Sequence, residues 1–222
     1  MRSEVAGYGG KVQGISRPVP TKHYLPFYFL LRSPHFAPPL RNRIFATMQA
    51  KKPQESLVIM NELVFPNDTN MMHNLMGGRL LYWMDIAAAM SAQKHSNRLV
   101  VTASVDNVSF EKSIKLGDAV TIEAKVTRAF NKSMEVRLDV WAQNIPAGGK
   151  EKSNQAYYTF VALDDDGKPV AVPEIEPENE EEKLLFDEAL RRRQLRLILS
   201  GRMEPKDATE LKALFMAAKH EL

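Results

Sequence analysis

At 222 residues the chain is long enough to bury one sizeable core with appendages. It has no cysteine, which excludes disulfide scaffolds, thiolate metal sites and cysteine nucleophiles. The net charge of +3 is unevenly spread: residues 1–52 hold nine basic side chains against Glu4 alone, and the rest carries 21 basic against 26 acidic. The part expected to fold therefore presents no basic footprint for nucleic acid.

In chain order, residues 1–52 are rich in proline and show no sustained periodicity, so they read as a disordered or non-native basic extension, with Met48 as a possible true start. The alternative is an organellar transit peptide over residues 1–47. The early apolar run "YLPFYFLL" (24–31) is broken by Pro26 and falls short of the roughly 20 residues a membrane span needs. From residue 57 the pattern changes. "LVIMNELVF" (57–65) predicts a strand, ended by the turn residues "PNDTN". Gly77 and Gly78 then open a helix running to about His95. Four more strands follow: "LVVTASVDNVSF", "AVTIEAKVTRAF", the segment from Met134 through Val140, and "KSNQAYYTFVALD". In the middle pair apolar and polar residues alternate, which predicts an antiparallel sheet with one wet face. After Pro173, acidic residues precede arginines along an amphipathic helix, in the order the helix dipole favours. Its Leu184, Leu185, Leu195 and Ile198 are available to dock on the domain or on a neighbouring subunit. A short helix from about Pro205 to His220 ends the chain. The expectation is an α+β fold, a sheet of about five strands wrapped around one long helix. Its parts are an extension (1–52), a core domain (53–172) and a C-terminal helical extension (173–222).

The chemistry centres on Asp85, in "NLMGGRLLYWMDIAAAM". No basic residue stands three or four positions away, and no other acid lies between Asp68 and Asp106. A helix apolar all round is buried, and a buried, unpaired carboxylate costs several kcal/mol, on the order of 3–5. Asp85 therefore reads as functional, a general base toward water or a nucleophile. Gly77 and Gly78 supply its complement, because the first amides of a helix lack intrahelical partners and the dipole there favours an oxyanion. Seven residues separate Gly78 from Asp85, roughly 10 Å at 1.5 Å per residue. One carbonyl carbon cannot touch both on one helix, so a shared site requires a second subunit.

"FPNDTNMMHNLMGGRLLYWMD" closely resembles the motif of hotdog-fold acyl-CoA thioesterases, the branch of cytosolic long-chain acyl-CoA hydrolases and their short bacterial relatives. "VVTASVDNVSF", "NKSMEV" and "AYYTFVALDDDGKPVAVPEIEPENEEEK" match further family segments in order, over about residues 57–190. The resemblance implies a hotdog fold, hydrolysis of acyl-CoA to fatty acid and CoA in the cytoplasm, a homodimer as minimal active unit, and usually a trimer of dimers. It implies no cofactor apart from the CoA of the substrate, and no metal. By motif position it makes Asp85 the base or nucleophile, Asn74 the group orienting water or carbonyl from the opposite subunit, and the Gly78 amide the oxyanion donor, with Gly77 beside it. The "NKS" turn, Asn131, Lys132 and Ser133, is the expected contact for the CoA phosphates. Two other readings remain: a hotdog acyl-thioester dehydratase or hydratase, which usually uses a histidine, and an acyl-CoA-binding regulator without turnover, which needs an output module that residues 1–52 do not resemble.

Overall fold

The computed structural model describes residues 48–106, 108–110 and 112–218; the expectations for residues 1–47 and for His220 lie outside them. The strands and α-helices follow in the order β1 (Val58–Leu63), α1 (Gly77–Ser96), β2 (Leu99–Asp106), β3 (Ala119–Ala129), β4 (Ser133–Gln143), β5 (Lys150–Leu163), α2 (Glu180–Leu199) and α3 (Thr209–Ala218). The strands form one sheet in the order β1-β3-β4-β5-β2, every neighbouring pair antiparallel. The helix precedes an edge strand and lies on one face of the sheet, as the hotdog reading requires.

Period-two alternation explains the packing. Val120, Ile122, Ala124 and Val126 of β3, Met134, Val136, Leu138 and Val140 of β4, and Ala156, Tyr158, Phe160 and Ala162 of β5 are all buried on the helix side. Against them α1 sets Leu80, Trp83, Met84, Ala87, Ala88 and Ala92. The three alanines let the helix axis come close to the sheet, while Trp83 and Met84 fill the width that remains. The helix ends where Asn97 turns into the left-handed region (φ 52°) and the Lys51 Nζ donates to the carbonyl of His95 at 2.8 Å.

The opposite face of the sheet is not the wet surface that alternation predicts. Glu135, Thr127 and Thr159 are buried, and α2 lies across this face. Lys125 of β3 pairs with Glu182 at 3.1 Å, and Arg128 donates to the Phe186 carbonyl at 2.8 Å. Glu135 of β4 binds Arg192 at 2.8 Å. Alternation places polar residues on a face; it does not reveal that a later helix will cover that face with matching polar groups. Of the leucines and isoleucine expected to dock, Leu185 is buried, whereas Leu184 and Leu195 stay exposed.

Lys51 and Lys52, grouped with the leading extension on composition, are fastened to the domain. Lys51 forms a two-bond bridge with the 174–176 segment, and Lys52 pairs with Glu178 at 2.5 Å.

Candidate active site

The chain reaches α1 through a loop whose turns are set by its own side chains. Asp68 closes the turn after β1 by accepting from the Phe65 amide at 3.1 Å, and holds Arg79 at 2.9 Å, tying the loop to the first turn of the helix. Two residues on, the Asn70 Oδ1 accepts from the amides of Met72 (2.9 Å) and Asn74 (3.2 Å). His73 sits in the left-handed region at φ 56°, and the loop is stitched to residues 114–116 through Leu75 N to Ile114 O at 2.7 Å.

The helix then starts without a side-chain cap. The Met76 carbonyl takes the amides of Arg79 and Leu80, and among the described residues those of Gly77 and Gly78 find no acceptor. The two glycines serve different needs. A Cβ on Gly77 would come within 3.1 Å of the Phe110 ring, a tight contact that the ring would have to relieve by a few tenths of an ångström. Gly78 has nothing within 4 Å of such a Cβ, so the space beside it is uncrowded. A pocket of about 290 Å³ lies here, lined by Asn70, Asn74, Gly77, Phe110, Lys112 and Asn154 among others.

Asp85 does not line that pocket. Nor is it the wholly buried, unpartnered carboxylate expected from its neighbours. It is half-buried, and the Thr102 hydroxyl of β2 donates to its Oδ1 at 2.7 Å. A β-bulge between Thr102 and Ser104 adjusts the register at this point. Tyr158 packs nearby, and burial, helped by the Asp85 charge, pushes its hydroxyl up to about 12, so it stays protonated. Asp85 therefore stands beside the free edge of the sheet with one oxygen held by threonine. Thr102 escaped notice in the sequence because threonine is ordinary in a strand.

The Asn131-Lys132-Ser133 turn is a tight β3–β4 connection, Phe130 N donating to Ser133 O at 2.7 Å, with Asn131 and Lys132 exposed. It does not line the pocket at Gly77. Among the described residues no three His, Asp or Glu side chains form a metal-binding group.

A curled antiparallel sheet around one long helix is the hotdog fold, the architecture of hotdog thioesterases. Comparison with known proteins agrees. Residues 72–147 match the family model described as thioesterase superfamily. A Bacillus subtilis protein named as an uncharacterized acyl-CoA thioester hydrolase, YkhA, is 43% identical over 139 residues, 63% of this chain and 81% of its own length. The crystal structure of an apo-hexameric acyl-CoA thioesterase superposes with a TM-score of 0.67 at 39% identity, over 68% of this chain and 97% of that one. The acyl-CoA hydrolase of Staphylococcus aureus, solved with butyryl coenzyme A and coenzyme A, is 41% identical over 69% of this chain and 95% of its own, TM-score 0.64. The chain belongs to the acyl-CoA thioester hydrolase family. Against longer members it is partial, spanning 24% of mouse acyl-coenzyme A thioesterase 11.

The S. aureus enzyme has been solved with an asparagine, an aspartate or a threonine replaced by alanine, at positions fifteen and seventeen residues apart in that order. The same residue types stand at the same spacings here, as Asn70, Asp85 and Thr102. Asn74, next to the glycines, is eleven residues from Asp85.

Proposed function

We propose that the protein hydrolyses acyl-CoA thioesters to a free fatty acid and CoA at sites shared between two subunits. The observation that carries this is the Thr102–Asp85 hydrogen bond of 2.7 Å. It holds the carboxylate at a strand edge, while Gly77, at the helix start next to Gly78, lines a pocket that Asp85 of the same chain does not line. Pairing two chains edge to edge through β2 brings Asp85 of one to the Gly78 end of the other. Asp85 takes a proton from water as the hydroxyl adds to the thioester carbonyl. The Gly78 amide of the partner subunit stabilises the oxyanion. As the intermediate collapses, the C–S bond breaks and the proton on Asp85 passes to the departing CoA thiolate. The asparagine that orients the water or carbonyl is Asn70 on the spacing shared with the S. aureus enzyme, and Asn74 on proximity to the glycines; both line the pocket.

The exposed Asn131-Lys132-Ser133 turn is assigned to the CoA phosphates, Lys132 acting as a point charge. A trimer of such dimers is the assembly we assign, in line with the hexameric relative, and the cytoplasm is its place, as for the rat and mouse relatives named cytosolic.

The test is thiol release from acyl-CoAs of graded chain length. Asp85→Ala lowers kcat by about 10²–10⁴, the usual worth of a general base. Asn70→Ala and Asn74→Ala decide between the asparagines, and Lys132→Ala raises KM while leaving kcat alone. Co-expressing Asp85→Ala with the inactive asparagine variant regenerates one intact site per mixed dimer, about a quarter of wild-type activity for random twofold pairing. A mixture no more active than its components would refute the shared site.

A further inference from the structure

Among the described residues strand β2 is a free edge, hydrogen-bonded on one side to β5 only. Such edges are normally blunted by charge, yet no charged residue occurs from Leu99 to Val105. Thr102 faces α1, so by strand alternation Leu99 and Val101 face the opposite, outer side, where α2 lies. Both are exposed there, at 70% and 45%.

The last turns of α2 are fastened to this edge. Arg196 pairs with Asp106 at the end of β2, and the Arg192 guanidinium lies 3.8 Å from the Tyr157 ring centroid on β5. Leu195 and Leu199 on the same turns are exposed, 48% and 79%. With β2 and β5 they border an open cleft of about 1080 Å³ that also takes in Val105 and Ser109. The two apolar pairs, Leu99 with Val101 and Leu195 with Leu199, thus sit at opposite ends of one strand edge, on one face.

We propose that α2 is a strap between subunits, in which Leu195 and Leu199 of each chain cover Leu99 and Val101 of the partner subunit on the outer face of a continuous sheet. The inference rests on the edge-to-edge dimer proposed above. Antiparallel pairing of two β2 strands about a twofold axis sets the Asp106 end of one beside the Leu99 end of the other. Arg196 holds α2 over that Asp106 end, so the leucines beyond it meet the partner's Leu99 and Val101. The twofold repeats the contact, and both apolar pairs of each chain become covered. The occupant is a second copy of this chain because each patch is the complement of the other.

The absence of native cysteine makes the test clean. Leu99→Cys and Leu199→Cys chains are co-expressed full-length and treated with a short bis-maleimide, with Val101→Cys alone as the probe of edge pairing. The expected result is a covalent heterodimer carrying one 99 and one 199 thiol, together with covalent Val101→Cys dimers. Val101→Cys dimers without a 99–199 link would overturn the strap and leave the edge pairing standing. Absence of both links would remove the edge pairing and the strap with it. In a second measurement, the Leu195→Asp/Leu199→Asp variant, its folding checked by circular dichroism, dissociates at about a hundredfold higher concentration, the loss expected when charge enters an apolar interface centre. Unchanged dissociation would overturn the proposal.

Discussion

Replacing Arg192 exposes what α2 does for the sheet beneath it. Glu135 is wholly buried near the start of β4, and its carboxylate receives the Arg192 Nη2 at 2.8 Å and Nε at 3.2 Å, plus the Thr127 hydroxyl at 2.8 Å. Arg192 in turn stacks on Tyr157 and donates to the Leu185 carbonyl at 3.0 Å. Burial works against the arginine's charge, but Glu135 outweighs it and holds the guanidinium above its ordinary pKa. Arg192→Met keeps the aliphatic stem and leaves Glu135 a buried charge with threonine as its main donor. Breaking one side of a buried pair costs about 3–5 kcal/mol. At roughly 2–4 °C per kcal/mol for a domain of this size, Tm falls by about 6–20 °C. The double variant Glu135→Leu/Arg192→Met removes both charges and recovers to within about 1 kcal/mol of wild type, since a buried pair nets little over apolar packing. The assay is thermal unfolding at fixed protein concentration, because any assembly makes Tm concentration-dependent. Should Arg192→Met cost under about 1 kcal/mol, or the double variant be no better than the single, the clamp is not what fastens α2.

Thr102→Val keeps shape and removes the donor to Asp85, a hydrogen bond to an ionised group worth about 1.5–3 kcal/mol. Steady-state kinetics should show kcat lowered roughly 10- to 150-fold with KM little changed; an unchanged kcat would contradict a working role for the Asp85–Thr102 pair. His95 is buried with its Nε2 on the Pro173 carbonyl at 2.8 Å, and burial, more than the nearby Lys51 charge, lowers its pKa. The unfolded chain then binds the proton more readily, so stability is complete above the ordinary histidine value, about 6.5, and declines as pH falls below it. His95→Gln should flatten the slope of Tm between pH 7 and 5, and an equal slope in both proteins would show that another group titrates.

The strands and the long helix were legible because they obey single-period rules. Alternation located β3 and β4, and an all-apolar run with two opening glycines located α1, starting at Gly77 as expected. Partners were not legible wherever they come from distant sequence. Asp85 stood out as the one acid in its helix, but the threonine that holds it lies seventeen residues on, in a strand where threonine is unremarkable. Glu135 reads as a wet-face residue until Arg192, fifty-seven residues later, closes over it. The two asparagines show a third limit. Adjacency to Gly77 favours Asn74, but the loop folds so that Asn70 reaches back over residues 72 and 74 and reaches the same pocket.

One strand edge links these observations. β2 turns Thr102 inward to Asp85 and Leu99 and Val101 outward beside the end of α2. Its free backbone groups lie between the two faces, so whatever pairs with the edge meets both at once. On the proposed pairing a second copy would satisfy all three demands: strand hydrogen bonds for the edge, the Gly78 end of a helix for Asp85, and leucines for the outer patch. Activity and assembly should therefore fail together when the edge is altered, while the core between α1 and the central strands, to which β2 adds only the partly buried Val100, keeps each subunit folded.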